Sequence, residues 1–104
     1  MIDQMEKMNA LLDAYEPLLT EKQQNIMDLY YKEDFSLSEI AEDLDISRAG
    51  VSDHIKRSTQ ILLDYEKKLN LVQNYETRLQ IYDKIKAVGN DEIKKLIDQL
   101  EKLE

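Results

Sequence analysis

A chain of 104 residues with two glycines and one proline has very few places to turn. A many-stranded sheet needs a turn every few residues, and turns draw heavily on those two residue types. Pro17, Gly50 and Gly89 can punctuate a few long helices but not a sheet. The apolar residues agree with that reading, because they recur at spacings of 3 and 4. Hydrophobic residues make up 42% and charged residues 35%, which is the composition of a folded domain with a modest core.

Six helical segments follow from this pattern. Met5, Met8, Leu12 and Tyr15 form one stripe on a first helix, from about Asp3 to Glu16, which Pro17 ends or kinks. Thr20 with Gln23 three residues on is a capping box, and opens a second helix that runs to about Lys32. Ser36 with Glu39 repeats the signal for a short third helix, which ends at Asp45. Ser47 caps a fourth, with Val51, Ile55, Ser58, Leu62, Tyr65 and Leu69 on one face. The period continues through Val72, Tyr75, Leu79, Tyr82 and Ile85, with a break expected near Leu69 to Leu71. Gly89 stops that helix and Asn90 caps the last, which presents Ile93, Leu96, Ile97, Leu100 and Leu103.

Composition also excludes functions. There is no cysteine, so disulfides and thiolate metal sites are ruled out and a reducing cytoplasm is the expected location. No apolar run approaches the roughly 20 residues that span a bilayer, and the first fifteen residues do not read as a signal peptide. There is no Gly-rich phosphate loop, Walker lysine or nucleophile elbow. The 22 carboxylates match no calcium loop and read as solvated helix faces. A single histidine, His54, supplies no metal or catalytic partner and reads as a half-buried packing residue. The expectation is a non-enzyme with no cofactor and no metal.

The net charge of −8 argues against a protein that coats nucleic acid, since affinity for phosphate comes from Lys and Arg. Its distribution is uneven. Residues 1–45 hold 3 basic and 12 acidic side chains, whereas residues 46–70 hold 5 basic and 3 acidic.

The segment SLSEIAEDLDISRAGVSDHIKR, Ser36 to Arg57, carries the specific signal. Two short helices can cross steeply if the residue at their contact is small, and Ala41 is small. Leu44 and Ile46 bracket the turn, and Val51 and Ile55 close a miniature core from the second helix. Asp45 is a residue type that tolerates the left-handed turn conformation. This is a helix-turn-helix, whose second helix would enter a major groove by its N-terminal residues. The candidate nucleic-acid-binding residues are Ser47, Arg48, Ala49, Ser52, Asp53, Lys56 and Arg57. Arg48 suits a guanine edge or a phosphate, Ser52 either, and Lys56 and Arg57 phosphates. Asp53 repels phosphate unless it reads a cytosine amino group, and Glu39, Glu42, Asp43 and Asp45 flank the site with negative charge. Gly50 lowers helix propensity and permits close approach of another backbone.

The stretch from Leu19 to about Leu69 resembles the promoter-reading region four of bacterial sigma factors. A closer likeness, nearly end to end, is to the YlxM family of small bacterial helix-turn-helix proteins. It rests on LTEKQQNIMDLYY, ISRAGVSDHIKR and the LLDYEKKL helix that follows. That family is associated by gene neighbourhood with the signal recognition particle. The resemblance implies an all-α fold with a sigma region-four-like helix-turn-helix core. It also implies a regulatory part in protein targeting, through nucleic acid (DNA or the particle's RNA) or through the particle's GTPase.

The remaining apolar residues predict an organisation. Residues 1–69 are read as the helix-turn-helix domain and 70–104 as a C-terminal helical extension, together one compact unit. Tyr65, Val72 and Leu79 repeat at seven, and with Leu62, Leu69 and Tyr82 they suggest a seam for a partner helix or a second copy. A homodimer is expected on this basis. Of the adjacent pair Tyr30 and Tyr31, one at most can point fully inward, so the other is a candidate exposed aromatic.

Overall fold

In the computed structural model, which describes residues 4–104, the helices are α1 Gln4–Tyr15, α2 Glu21–Tyr31, α3 Leu37–Leu44, α4 Arg48–Leu69, α5 Leu71–Val88 and α6 Asp91–Lys102. The all-α class read from the sequence is the class observed. The expected first residue of α1, Asp3, lies outside the described residues. No helix among the described residues is long and apolar enough to cross a membrane.

Local chemistry sets the boundaries. Pro17 lies in a short 3-10 turn, Glu16–Leu18, that closes α1. Thr20 accepts from the Gln23 N–H at 3.2 Å, and the Thr20 N–H donates to the Gln23 side chain at 2.9 Å. Ser36 and Glu39 make the same reciprocal pair at 3.1 and 3.0 Å. Each box satisfies two N–H groups that the first helical turn leaves without intrahelical partners. Asn90 accepts from the Ile93 N–H at 3.0 Å and opens α6.

The contacts divide the chain into two compact units, Met1–Leu69 and Asn70–Glu104. The division coincides with Asn70, whose φ of 57° is left-handed and interrupts the helix between Leu69 and Leu71.

In the first unit α1 packs on α2 and α4. It buries Met8, Leu11, Leu12 and Tyr15, while Met27 of α2 and Leu62 of α4 are also fully enclosed. Met5, expected on the inner stripe, is instead 38% exposed; it lies in the first turn of α1. Tyr15 ties α1 to the far end of α4. Its hydroxyl donates to Glu66 at 2.5 Å, and its ring stacks on Tyr65 at 6.0 Å. Lys32 draws together Asp13, Glu16 and Asp28 at 3.3, 3.5 and 3.8 Å. The Glu16 carboxyl titrates above its usual range, chiefly because it shares a hydrogen bond with Asp28.

In the second unit α5 and α6 form an antiparallel hairpin. Arg78 holds Glu104 through two hydrogen bonds of 2.9 Å, and the Tyr82 hydroxyl donates to the same carboxylate at 2.9 Å. Lys86 pairs with Asp98 and Glu101 at 3.1 and 2.6 Å. Gly89 is needed for space rather than for a left-handed backbone, since its φ is −87°. A Cβ there would lie 2.7 Å from the Ile93 side chain and 2.9 Å from the Ile85 carbonyl oxygen.

α3 is the element most dependent on its cap, because eight residues are too few to be helical alone. Ser36→Ala is expected to cost about 1 kcal/mol of unfolding free energy in urea denaturation. The Ser36 N–H and then its hydroxyl hold the Glu39 carboxyl below its usual range. This part of the stability is present above the ordinary carboxylate pKa and is lost as pH falls through the lowered value. An NMR titration should show Glu39 shifted down in the native chain and less so in S36A, which removes the hydroxyl but keeps the backbone N–H.

Candidate nucleic-acid interface

The helix-turn-helix is built from three fully buried side chains on three helices. Ile26 of α2, Ile40 of α3 and Val51 of α4 have no exposure, and Leu29, Tyr30, Phe35, Leu37, Ala41, Leu44, Ile46 and Ile55 pack around them. Ala41, Leu44, Ile46 and Ile55 fall where the sequence pattern puts them. Phe35 and Leu37 were not part of that pattern. Phe35 stands just before the cap residue Ser36 and packs on the cluster that holds Ile40, the fourth residue of α3, an arrangement that closes the entry to a helix with apolar contact.

The turn between α3 and α4 is fixed by one backbone conformation. Asp45 has φ 54° and ψ 48°, and its N–H reaches the carbonyls of Ala41 and Glu42. The Ile46 N–H then donates to the Ala41 carbonyl at 3.1 Å. These bonds satisfy carbonyls that the last turn of α3 leaves open and swing the chain into α4. Ser47 caps α4, its hydroxyl oxygen accepting from the Gly50 N–H at 2.9 Å. A Cβ on Gly50 would sit 3.0 Å from that same oxygen. The close neighbour of Gly50 is therefore the Ser47 side chain, not another backbone as its residue type suggested.

All seven candidate contact residues lie on the surface. Ser47, Arg48, Ala49, Asp53, Lys56 and Arg57 are exposed and Ser52 is half-buried. At 100° per residue Ala49, Asp53, Lys56 and Arg57 occupy the arc of α4 opposite Val51, Ile55 and Ser58, while Arg48 and Ser52 lie at its edge, beside Ile55, and Ser47 precedes the helix as its cap. Arg48 and Lys56 make no ion pair among the described residues. Arg57 does: its guanidinium lies 2.6 Å from the Asp53 carboxylate, one turn back. The pair is well exposed and contributes little to stability, but it cancels one of the cations offered to a phosphate. The spacing of four between opposite charges is the sequence signal for this pair. The segment from Ser36 to Arg57 holds five acidic and three basic side chains. Glu39, Glu42, Asp43 and Asp45 are all exposed.

Neither Tyr30 nor Tyr31 is a free aromatic. Both are half-buried, with rings in edge contact at 4.8 Å. Burial pushes the Tyr31 hydroxyl up, against a hydrogen bond with Thr59. His54 is half-buried on α4. Among the described residues, no group of three His, Asp or Glu is placed to hold a metal ion.

The six seam residues are not brought together as one exposed stripe. Leu62 is enclosed in the first unit, and Tyr82 is buried in the second. Tyr65 stacks on Tyr15. Val72 and Leu79 are half-buried, and Leu69 is exposed at the end of α4.

Comparison with known proteins gives one consistent result. A family model described as "Putative helix-turn-helix protein, YlxM / p13 like" matches residues 2–103. A UPF0122 protein of Halalkalibacterium halodurans is 44% identical over 109 residues, covering all of both chains. UPF0122 proteins of Bacillus cereus and Bacillus thuringiensis are 42% identical over 110 residues, again end to end.

The turn makes a direct test of the geometry. A side chain in the left-handed region costs about 1–2 kcal/mol, and glycine escapes that cost but loses about 0.5–1 kcal/mol of backbone freedom on folding. Asp45→Gly should therefore be neutral or stabilising by up to about 1 kcal/mol. Asp45→Val, branched at Cβ, should lose more than about 1 kcal/mol in the same denaturation experiment.

Proposed function

The chain belongs to the UPF0122 family of YlxM/p13-like helix-turn-helix proteins, and on that premise we propose that it is a regulatory protein that binds nucleic acid through the N-terminal half of α4. The observation that carries the reading is the exposed arc begun by the Ser47 cap. It presents Arg48, Ser52 and Lys56 beside a turn held by Asp45. Arg48 and Ser52 stand one turn apart near the helix start, where base edges are reached. Lys56, a further turn on, takes a phosphate. By the family resemblance, the pathway is protein targeting by the signal recognition particle, and the ligand is the particle's RNA or a DNA site. The role is a binding one, not catalysis.

A second reading has its own support. The Asp53–Arg57 pair and the carboxylates of α3 give the face of the motif a negative balance. Such a surface fits a protein that keeps the scaffold and docks a basic partner; by resemblance that partner is the targeting GTPase. Electrostatic attraction would then set the rate of encounter.

Fluorescence anisotropy across a salt series separates the two. Each neutralised phosphate contributes about −0.9 to the slope of log affinity against log salt. With Arg48 and Lys56 as the cations in play, the expected slope is about −2, or roughly a tenfold loss between about 50 and 200 mM salt. Arg48→Ala or Lys56→Ala should lower the slope by about 1, and Asp53→Asn, which releases Arg57, should raise it by about 1. Absence of binding to the particle's RNA and to duplex DNA at low salt would reject the first reading. Association with the purified GTPase under those conditions would then establish the second.

A further inference from the structure

The α5–α6 hairpin leaves most of its apolar side chains in water. Tyr82 and Ile97 are its buried apolar residues, whereas Ile81, Val88, Ile93, Leu96, Leu100 and Leu103 are between 37% and 88% exposed. These six are not scattered. At 100° per residue, Ile81 and Val88 fall on one flank of α5 relative to Tyr82, whose hydroxyl meets Glu104 beyond α6. Leu96, Leu100 and Leu103 fall on the matching flank of α6 relative to Ile97 and Glu101. The sense of rotation reverses with chain direction, so in an antiparallel pair these two flanks lie on the same side. The other side carries Lys86 with Asp98 and Glu101. The hairpin is thus amphipathic as a unit. An exposed apolar side of this kind, rimmed by polar residues, marks an interaction surface.

Charge selects the occupant. Residues 70–104 hold six basic and seven acidic side chains, whereas residues 1–69 hold eight and fifteen. A second hairpin therefore meets the first almost without net repulsion, which an acidic surface like that of the first unit would not. The rim adds a specific match. Lys84 lies on the outer edge of α5 and Glu92 on the outer edge of α6, both exposed and neither in an ion pair among the described residues. If two hairpins meet face to face with their turns at the same end, α5 of one lies over α6 of the other. Lys84 then approaches Glu92 of the second copy, and symmetry makes the contact twice. A surface complementary to itself in shape class and in charge is what an isologous interface requires.

We propose that the Leu96/Leu100 side of the hairpin is a self-association surface, and that its occupant is a second copy of the same hairpin, completing a four-helix bundle. The proposal is independent of whether α4 binds nucleic acid.

Sedimentation of the full chain from about 1 to 100 µM tests it. The wild type is expected to dimerise within that range. Leu96→Glu with Leu100→Glu should weaken the dimer by about a hundredfold or more, because two carboxylates would enter an apolar interface. Both positions are exposed, so the variant should keep wild-type helicity by circular dichroism. Lys84→Glu should weaken the dimer several-fold, and Lys84→Glu with Glu92→Lys should restore it, which a merely sticky face would not do. If the double Glu variant loses helicity, the charge swap decides alone. A monomeric wild type overturns the proposal, as does a dimer indifferent to both sets of changes. A monomer that the double Glu variant destabilises also overturns it, since the chain's own first unit would then be the occupant.

Discussion

Ile26, Ile40 and Val51 meet without any exposure, and each comes from a different helix. With Leu29, Leu37, Leu44, Ile46 and Ile55 packed around them, they hold α2, α3 and α4 against one another. α3 gains most from this. With eight residues it has no helical stability of its own, and it persists because Ile40 is buried and Ser36 caps its start. Its position in turn fixes where Asp45 turns the chain and where α4 begins. The orientation of Arg48, Ser52 and Lys56 therefore traces back to this apolar junction together with the Asp45 turn and the Ser47 cap.

The parts of this architecture that are legible in the sequence are those decided by neighbours within four residues. Thr20 with Gln23, Ser36 with Glu39, and Asn90 are side chains that bond to nearby backbone, so spacing alone reveals them. Asp45 is legible for the same reason: few residue types accept its conformation. What the pattern misses depends on partners distant in sequence. Met5 and Leu69 share the period of buried residues yet sit at helix ends and are exposed. The heptad through Tyr65, Val72 and Leu79 runs across Asn70, and a left-handed residue there resets the helical phase, so the repeat joins residues of two separate helices. Arg57 reads as a free cation until its neighbour four residues back is considered. Gly89 reads as a helix stop, although its reason is the crowding of Ile85 and Ile93.

The electrostatics of the motif are those of restraint. Two uncommitted cations, one committed pair and a row of exposed carboxylates would give only shallow attraction to a polyanion. A protein so arranged would depend on fit at the start of α4 more than on charge.

α4 runs without interruption for 22 residues, Arg48 to Leu69, so its first turn and its last share one rigid axis about 33 Å long. This has a consequence for how such chains can change in length. One residue inserted within α4 would rotate everything beyond it by about 100° relative to the arc at its start, taking Leu62 out of the core and Glu66 away from Tyr15. The Glu33–Asp34 turn carries no such phase relation. Among descendants of this fold, insertions and deletions should therefore collect in turns of that kind, with the length of α4 held constant even where its sequence has drifted.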